Sequence, residues 1–378
     1  MDPTTLVAAA RRFPLLGRPR PTCPSLVRRV QEVADIAHKA GQAGTDGLAE
    51  GAHALNKAAL IASDCGVPSL ARDLCWQHID LYRVAADRPL TVLQARYMLE
   101  PVLNLARLQI RASDGEQALH LLTAMHRAVM SKADLDVDGQ TLPLTDLTGT
   151  RQEHHKLREW VWLHLVGDGI RALTLAGRWD DAVAHAQAHR GVGLHLMEGR
   201  QATIVAHCLK GAGAEANAAL AESRPVQPWE LQVSSCLKVM CSDAAGVPAR
   251  RDIYTMIGHF LGQEPMPGYA AFRAQLGLTV TTLASATDPE AADAVLTQVS
   301  DEVIKAGDGY AARDVLRYRD TQANLTNEQR EALSDLLVSS GLGAGALPET
   351  LLMFLLGSTQ AAAKVVRMSL PQQKRPAM

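Results

Sequence analysis

The chain has 378 residues, 47% of them hydrophobic and only 4% aromatic, which suits a large core in one long or two ordinary domains and excludes a disordered tail. Its 38 basic and 40 acidic residues leave a formal charge of −2, which excludes a global field drawing the protein to nucleic acid or anionic lipid. Six scattered cysteines (Cys23, Cys65, Cys75, Cys208, Cys236, Cys241) have neither secretory spacing nor a C-x-x-C pair, and read as small buried hydrophobes.

Ala and Leu recur throughout, the texture of close helix-on-helix packing, so the expected class is all-α. At the N-terminus a short apolar run is flanked by arginines without a cleavage-site pattern, and Pro3, Pro14, Pro19, Pro21 and Pro24 predict an extended or irregular arm over residues 1–24. Ser25 then caps a helix through Ala40. The first hairpin follows: Leu55, Ala58, Ala59 and Ala62 share a face, Gly66 breaks the helix, and Pro68 starts a second helix with Leu70, Ala71, Leu74, Cys75 and Ile79 inward. A long helical pattern from Thr91 to Ser113 contains Pro101, which predicts a kink or a division.

Asp114-Gly115 turns the chain into another helix, and between Asp134 and Thr150 the helical period disappears. There Asp138-Gly139 between short β-prone runs predicts a small hairpin or ordered loop. From Gln152 an amphipathic helix with a Trp160, Trp162, Leu165 stripe leads to Gly177 and a second short helix. Further helical pairs follow, with Gly262–Gly268 as the best linker. The expected organisation is thus a helical-repeat domain over 25–261, a linker over 262–268, further helical repeats continuing the stack over 269–368, and a flexible tail over 369–378.

Turn residues align at Gly66, Ser113, Gly177, Gly211, Gly246 and Thr287, at intervals of 47, 64, 34, 35 and 41 residues. Five residues after the turn a small residue recurs as Ala71, Ala118, Ala182, Ala216 and Ala292, and Gly246 departs from this with Arg251. On these residues the chain resembles the tetratricopeptide-repeat family, whose units are helix, turn, helix of about 34 residues. Gly177, Trp179 and Ala182 carry the best copy. Elsewhere the family's aromatic is replaced by Leu55, Val166 and Arg200, and its closing proline is matched by Pro228 but replaced by Arg83 and Leu194. The resemblance implies a right-handed α-solenoid of antiparallel hairpins, here with a small irregular or β-hairpin insertion. The chain is also similar, more loosely, to helical proteins of filamentous actinobacteria, some encoded near natural-product gene clusters.

Three clusters invite chemistry. Asp134, Asp136, Asp138 and Gly139 open like a calcium loop, but its twelfth position is Thr145 and Asp146 falls one place late, so an acidic β-turn is favoured. His154, His155, Glu159 and His164 lack H-E-x-x-H spacing and read as a solvated first turn. Cys236 and Cys241, five apart, do not face each other, and the P-loop, dinucleotide and G-x-S-x-G patterns are absent. No cofactor and no metal is expected.

What remains is a groove. The resemblance implies that first helices of each pair line the concave side, which places His53, Asn56, Ser63 and Asp64 there in one hairpin and His164, Asp168 and Arg171 in the best-matched one. Asn56 can bond a peptide backbone and Arg171 can pair a carboxylate. The leading expectation is a non-enzymatic, cytoplasmic interaction protein that binds a peptide or partner protein, with no nucleic acid or membrane and with homo-oligomerisation left open. The alternative is an enzyme or accessory subunit acting on a peptide in specialised-metabolite biosynthesis, with a helical cavity collecting His154, Glu159, Asp168 and Arg171.

Overall fold

The computed structural model describes residues 3–84, 89–244, 250–318 and 325–370. Among these the chain is all-helical apart from one antiparallel two-stranded sheet. In order come α1 (Pro3–Ala10), α2 (Leu26–Ala43), α3 (Leu48–Asp64), α4 (Pro68–Val84), α5 (Val92–Arg111), α6 (Gly115–Ser131), β1 (Leu135–Val137) and β2 (Gln140–Leu142). Then follow α7 (Arg151–Leu175), α8 (Trp179–Ala188), α9 (Glu198–Leu209), α10 (Gly213–Ala221), α11 (Pro228–Ala244) and α12 (Arg250–Leu261). The last are α13 (Ala270–Ala284), α14 (Pro289–Ala306), α15 (Gly309–Leu316), α16 (Asn327–Ser340) and α17 (Glu349–Ser369).

The repeated turn has a single backbone solution. Gly66, Ser113, Gly177 and Gly211 sit at φ of +79°, +64°, +73° and +71°, the left-handed region that stops a helix. In each the next residue's N–H reaches back five residues to a helix carbonyl: Val67 to Ala62, Asp114 to Gln109, Arg178 to Leu173 and Ala212 to His207, at 2.9–3.0 Å. The small residue that follows is buried every time, Ala71, Ala118, Ala182 and Ala216 being 0–1% exposed. Thr287 differs: Asp288 caps α14 by accepting from the Ala291 N–H, and Pro289 opens the helix. The Gly246 turn lies outside the described residues.

The chain forms two compact units interleaved in sequence: unit I is Leu26–Ala172 with Gly341–Met378, and unit II is Met1–Ser25 with Leu173–Ser340. In unit I, consecutive helices α2 to α6 pack pairwise, α3 also meets α5, and α17 packs on α2 and α3. Gly51 of α3 admits α17, since a Cβ there would lie 2.8 Å from Val366 Cγ2. Val30, Leu55, Ile61, Leu74, Met98, Leu99, Leu122 and Leu165 close one continuous core. Among the described residues α17 is the one helix long and apolar enough to cross a membrane by length and composition; here Leu355, Ala362 and Val366 face the protein core.

Pro101 lies inside α5, which runs from a Thr91–Gln94 capping box to Arg111 without division. The proline is itself buried among apolar neighbours, so packing offsets the lost helix bond. The expected hairpin is present: β1 and β2 pair Val137 with Gln140, and Asp138 and Gly139, at φ of +51° and +76°, form a two-residue turn of the primed kind. Its carboxylates are taken by protein donors. Asp134 accepts from the Leu144 and Thr145 N–H groups and the Thr145 hydroxyl, Asp136 from Thr141, and Asp138 from Arg72.

In unit II, consecutive helices α8 to α14 pack pairwise, as do α15 and α16, while α9 meets α11 and α13 meets α15. The Gly262–Gly268 stretch, expected as a linker, connects α12 to α13, two helices in contact within this unit. The expected extended or irregular arm is ordered. It begins with α1, whose Leu6, Ala9 and Ala10 are buried, and continues as an extended strap whose Phe13, Leu15 and Cys23 are 4%, 2% and 2% exposed. The alternating apolar positions of the strap supply the buried area that prolines alone do not reveal.

The close crossings generate a stability prediction. Ala118→Leu should cost about 1–3 kcal/mol through overpacking, whereas Gln117→Leu on the exposed side should stay within about 0.5 kcal/mol. Urea unfolding curves of the two variants check this; equal midpoints would remove the close-crossing role of Ala118.

Candidate functional site

Helices α3, α5 and α7 each end two residues before one of the repeated turn residues, so their side chains can be compared by distance from that turn. Thirteen residues before it stand His53, Glu100 and His164; nine before, Lys57, Asn104 and Asp168; six before, Leu60, Arg107 and Arg171. Such offsets of three and four share one helical face. Leu60 is the one apolar member of these rows. On α5 the row is Arg96, Glu100, Asn104, Arg107 and Arg111, opposite the buried Ala95, Met98, Leu99 and Val102.

Hydrogen bonds tie these rows across helices. Asn104 Nδ2 donates to Asn56 Oδ1 at 2.5 Å. Arg111 donates to the Ser63 hydroxyl and to Asp64 Oδ1, the latter at 3.0 Å, while Arg29 of α2 holds Asp64 Oδ2 at 2.5 Å. Arg107 grips Asp168 through Nε and Nη2, both at 3.2 Å, in the bidentate arrangement that suits guanidinium and carboxylate. His164 Nδ1 lies 3.1 Å from Asp168 Oδ2, and its ring meets the edge of Trp160 with centroids 4.8 Å apart. Arg96 in turn lies 5.4 Å from the Trp160 centroid and forms an ion pair with Glu100 at 3.7 Å.

Burial and charge oppose each other in this face. Burial would raise the Asp168 carboxyl, but the His164 hydrogen bond and the Arg107 guanidinium outweigh it and hold the pKa at about 2. Glu100 goes the other way: burial raises its pKa, and Arg96 offsets only part of that. The ion pairs are also oriented. The Asp64 and Asp168 side chains are 4% and 13% exposed, whereas those of Arg111 and Arg107 are 44% and 37% exposed. Carboxylates lie beneath; guanidinium groups face outward.

Of the residues anticipated from sequence, Asn56, Ser63, Asp64, His164 and Asp168 are drawn into this network. His53 and Arg171 are exposed on α3 and α7, three residues from Asn56 and from Asp168. Sequence reasoning missed Arg29, Arg96, Glu100, Asn104, Arg107 and Arg111. Counting back from the Ser113 turn would have found Glu100, Asn104 and Arg107; the α2 contribution has no such signal.

Other candidates are dispersed. His154 lines a small hollow with Lys132, Thr145 and Arg158, while Glu159 and Arg171 are exposed and Asp168 is held by Arg107 and His164. A cleft of about 450 Å³ on another part of unit I is lined by Arg72, Leu105, Leu108, Gln109 and Leu121, with Asp138 at the hairpin turn. All six cysteines are buried thiols outside any disulfide; Cys241 approaches Cys208, with sulfurs 3.7 Å apart, rather than Cys236. Burial pushes the Cys236 thiol up to about 12, leaving it a poor nucleophile. Among the described residues no three His, Cys, Asp or Glu side chains gather as a metal site.

The depressed Asp168 pKa fixes a sign. Its contribution to stability is complete above the ordinary carboxylate value near 3.8 and is lost as pH falls towards about 2. That gap corresponds to about 2 kcal/mol, so Asp168→Asn should cost about that much at pH 7 and little at pH 2. Urea unfolding at both pH values checks it, and a pH-independent cost would remove the assignment. No protein-family model, curated protein or solved structure matches this chain, so the chemistry of the α3, α5 and α7 face is the ground on which a function is argued.

Proposed function

We propose that this protein is a non-enzymatic interaction protein, a tetratricopeptide-like right-handed α-solenoid that binds a peptide or partner protein along the α3–α5–α7 face. The observation that carries the reading is the register of that face: side chains that, Leu60 apart, are polar at equal distances from successive turns, linked from helix to helix by Asn104 to Asn56, Arg111 to Asp64 and Arg107 to Asp168. A chain crossing the three helices would meet a similar row of groups at each.

The orientation of the ion pairs supports a ligand class. Each guanidinium has five N–H donors and spends two on a carboxylate in the bidentate pair, so Arg107, with its outward edge, retains donors for solvent or ligand. Exposed donors over buried acids suit the carbonyl oxygens of an extended main chain and acidic side chains upon it. The alternative, an active site built from His154, Glu159, Asp168 and Arg171, would have to gather residues that α7 spreads along about 25 Å of one helix.

The test is selection of displayed peptides on the purified full chain at physiological salt. Acidic, extended sequences should be enriched, and Arg111→Gln or Arg171→Gln should each weaken their binding about tenfold, or about 1.4 kcal/mol, with unchanged thermal unfolding. Absence of enrichment, or binding indifferent to both variants, would sink the proposal.

A further inference from the structure

Unit II holds an extended segment already: Phe13 and Leu15 enter its apolar core, and polar groups grip the main chain beside them. Arg11, Arg12 and Phe13 still bond back to Val7, Ala9 and Ala10 as the last turn of α1, and from Pro14 to Pro24 the strap has no helical or sheet hydrogen-bond pattern. Phe13, Leu15 and Gly17 are buried while Pro14 and Leu16 between them are partly exposed, the period of two that an extended chain gives when one side lies on a surface. Gln201 of α9, itself fully buried, reads the main chain in both directions: the Leu15 N–H donates to Oε1 and Nε2 donates to the Leu15 carbonyl, each at 2.7 Å. Two further main-chain grips follow, from the Arg20 N–H to the Gly268 carbonyl, and at Cys23, whose N–H meets Asp308 Oδ1 and whose carbonyl accepts from the Gly309 N–H.

Side chains add specificity. Gly17 passes so close to Trp229 that a Cβ would overlap its Cγ. Arg12 lies 5.1 Å from the Tyr318 centroid and bonds Thr282, Arg18 pairs with the largely buried Glu198 at 2.8 Å, and Arg20 stacks 3.8 Å from the Tyr310 centroid. Residues 11–24 carry four arginines and no acid, and the surface beneath answers with Glu198, Asp308 and two aromatic faces. Such charge complementarity marks a ligand and its site more than two halves of a core. Pro14, Pro19, Pro21 and Pro24 stiffen the strap in advance, lowering the entropy lost on docking, while Arg18 to Thr22 remain exposed.

We propose that the strap is an exchangeable occupant of a peptide-binding track on unit II, and that the track takes a partner protein's extended segment of the pattern aromatic-x-Leu-x-Gly-Arg. The segment's own copy keeps the track closed until a partner presents the same pattern at higher effective concentration. Nothing in this proposal uses the α3–α5–α7 face.

The experiment inserts a protease recognition sequence between Pro24 and Ser25 of the full chain, cuts it, and adds a fluorescent synthetic peptide of residues 3–24. The nicked protein should remain folded by circular dichroism, and the labelled peptide should enter with rising anisotropy and be competed by its unlabelled copy. Peptides carrying Leu15→Asp or Gly17→Val should bind at least tenfold more weakly. In the uncut chain, the amides of Leu15, Arg20 and Cys23 should exchange hydrogen ahead of the α9 amides. A nicked protein that unfolds on cutting, or that stays folded while refusing the peptide, overturns the proposal. So would a dimer of the uncut chain with exchanged straps, because the occupant would then be a second copy.

Discussion

The close passage of one helix over the next at a buried alanine is the constraint on which the other features depend. A left-handed residue ends the first helix, the following N–H closes back on it, and the alanine five residues later removes the bulk that would hold the two helices apart. The device fixes where each second helix starts relative to its turn. Register along the first helix is therefore fixed as well. Polar residues near these positions meet across the helices: Asn104, nine before its turn, finds Asn56, ten before, on one side, while Arg107, six before, finds Asp168, nine before, on the other.

That register accounts for a polar layer that would otherwise be costly. Asp64 and Asp168 are shielded from water, and an unpaired carboxylate there would be strongly destabilising. Each receives two partners: Arg29 and Arg111 for Asp64, Arg107 and His164 for Asp168. The partners come from three different elements, α2, α5 and α7, so the network depends on the packing and reports on it. Charge remains on the outside because guanidinium groups, long-stemmed and weakly hydrated, tolerate the boundary better than carboxylates do.

Much of the architecture was legible because it is local. Glycine at φ > 0, proline opening α4, the Asp114-Gly115 entry into α6 and the Asp138-Gly139 turn each act within a few residues, and each appears where the sequence placed it. Ser113 was legible from Ala118 five residues on, and takes a left-handed turn without glycine. What escaped was long-range. Prolines suggested an extended or irregular arm, which holds for Pro14 to Pro24, but Pro3 to Ala10 fold as a helix, and Phe13 and Leu15 are buried by helices far along the chain. Pro101 suggested a break, but its own burial within α5 offsets the missing bond. The candidate face was half legible: turns with glycine led to α3 and α7, and the helix between them, ending at a serine, supplied Asn104, Arg107 and Arg111.

If both proposals hold, the two units meet an extended chain in contrasting ways. On α9, Gln201 imitates a neighbouring peptide group, offering one acceptor and one donor to the same residue of the strap, and this specifies an extended backbone without specifying its sequence. Sequence is read around it, by the space under Trp229 that admits only glycine and by aromatic faces that receive arginine. On α3, α5 and α7 the exposed edges of Arg107 and Arg111 lie above their carboxylates as charged donors, which suits acceptors on a chain. A basic, apolar, proline-stiffened segment matches the former and would be repelled by the latter. On these two proposals each surface selects against the other's ligand, so a partner segment suited to one has no reason to occupy both.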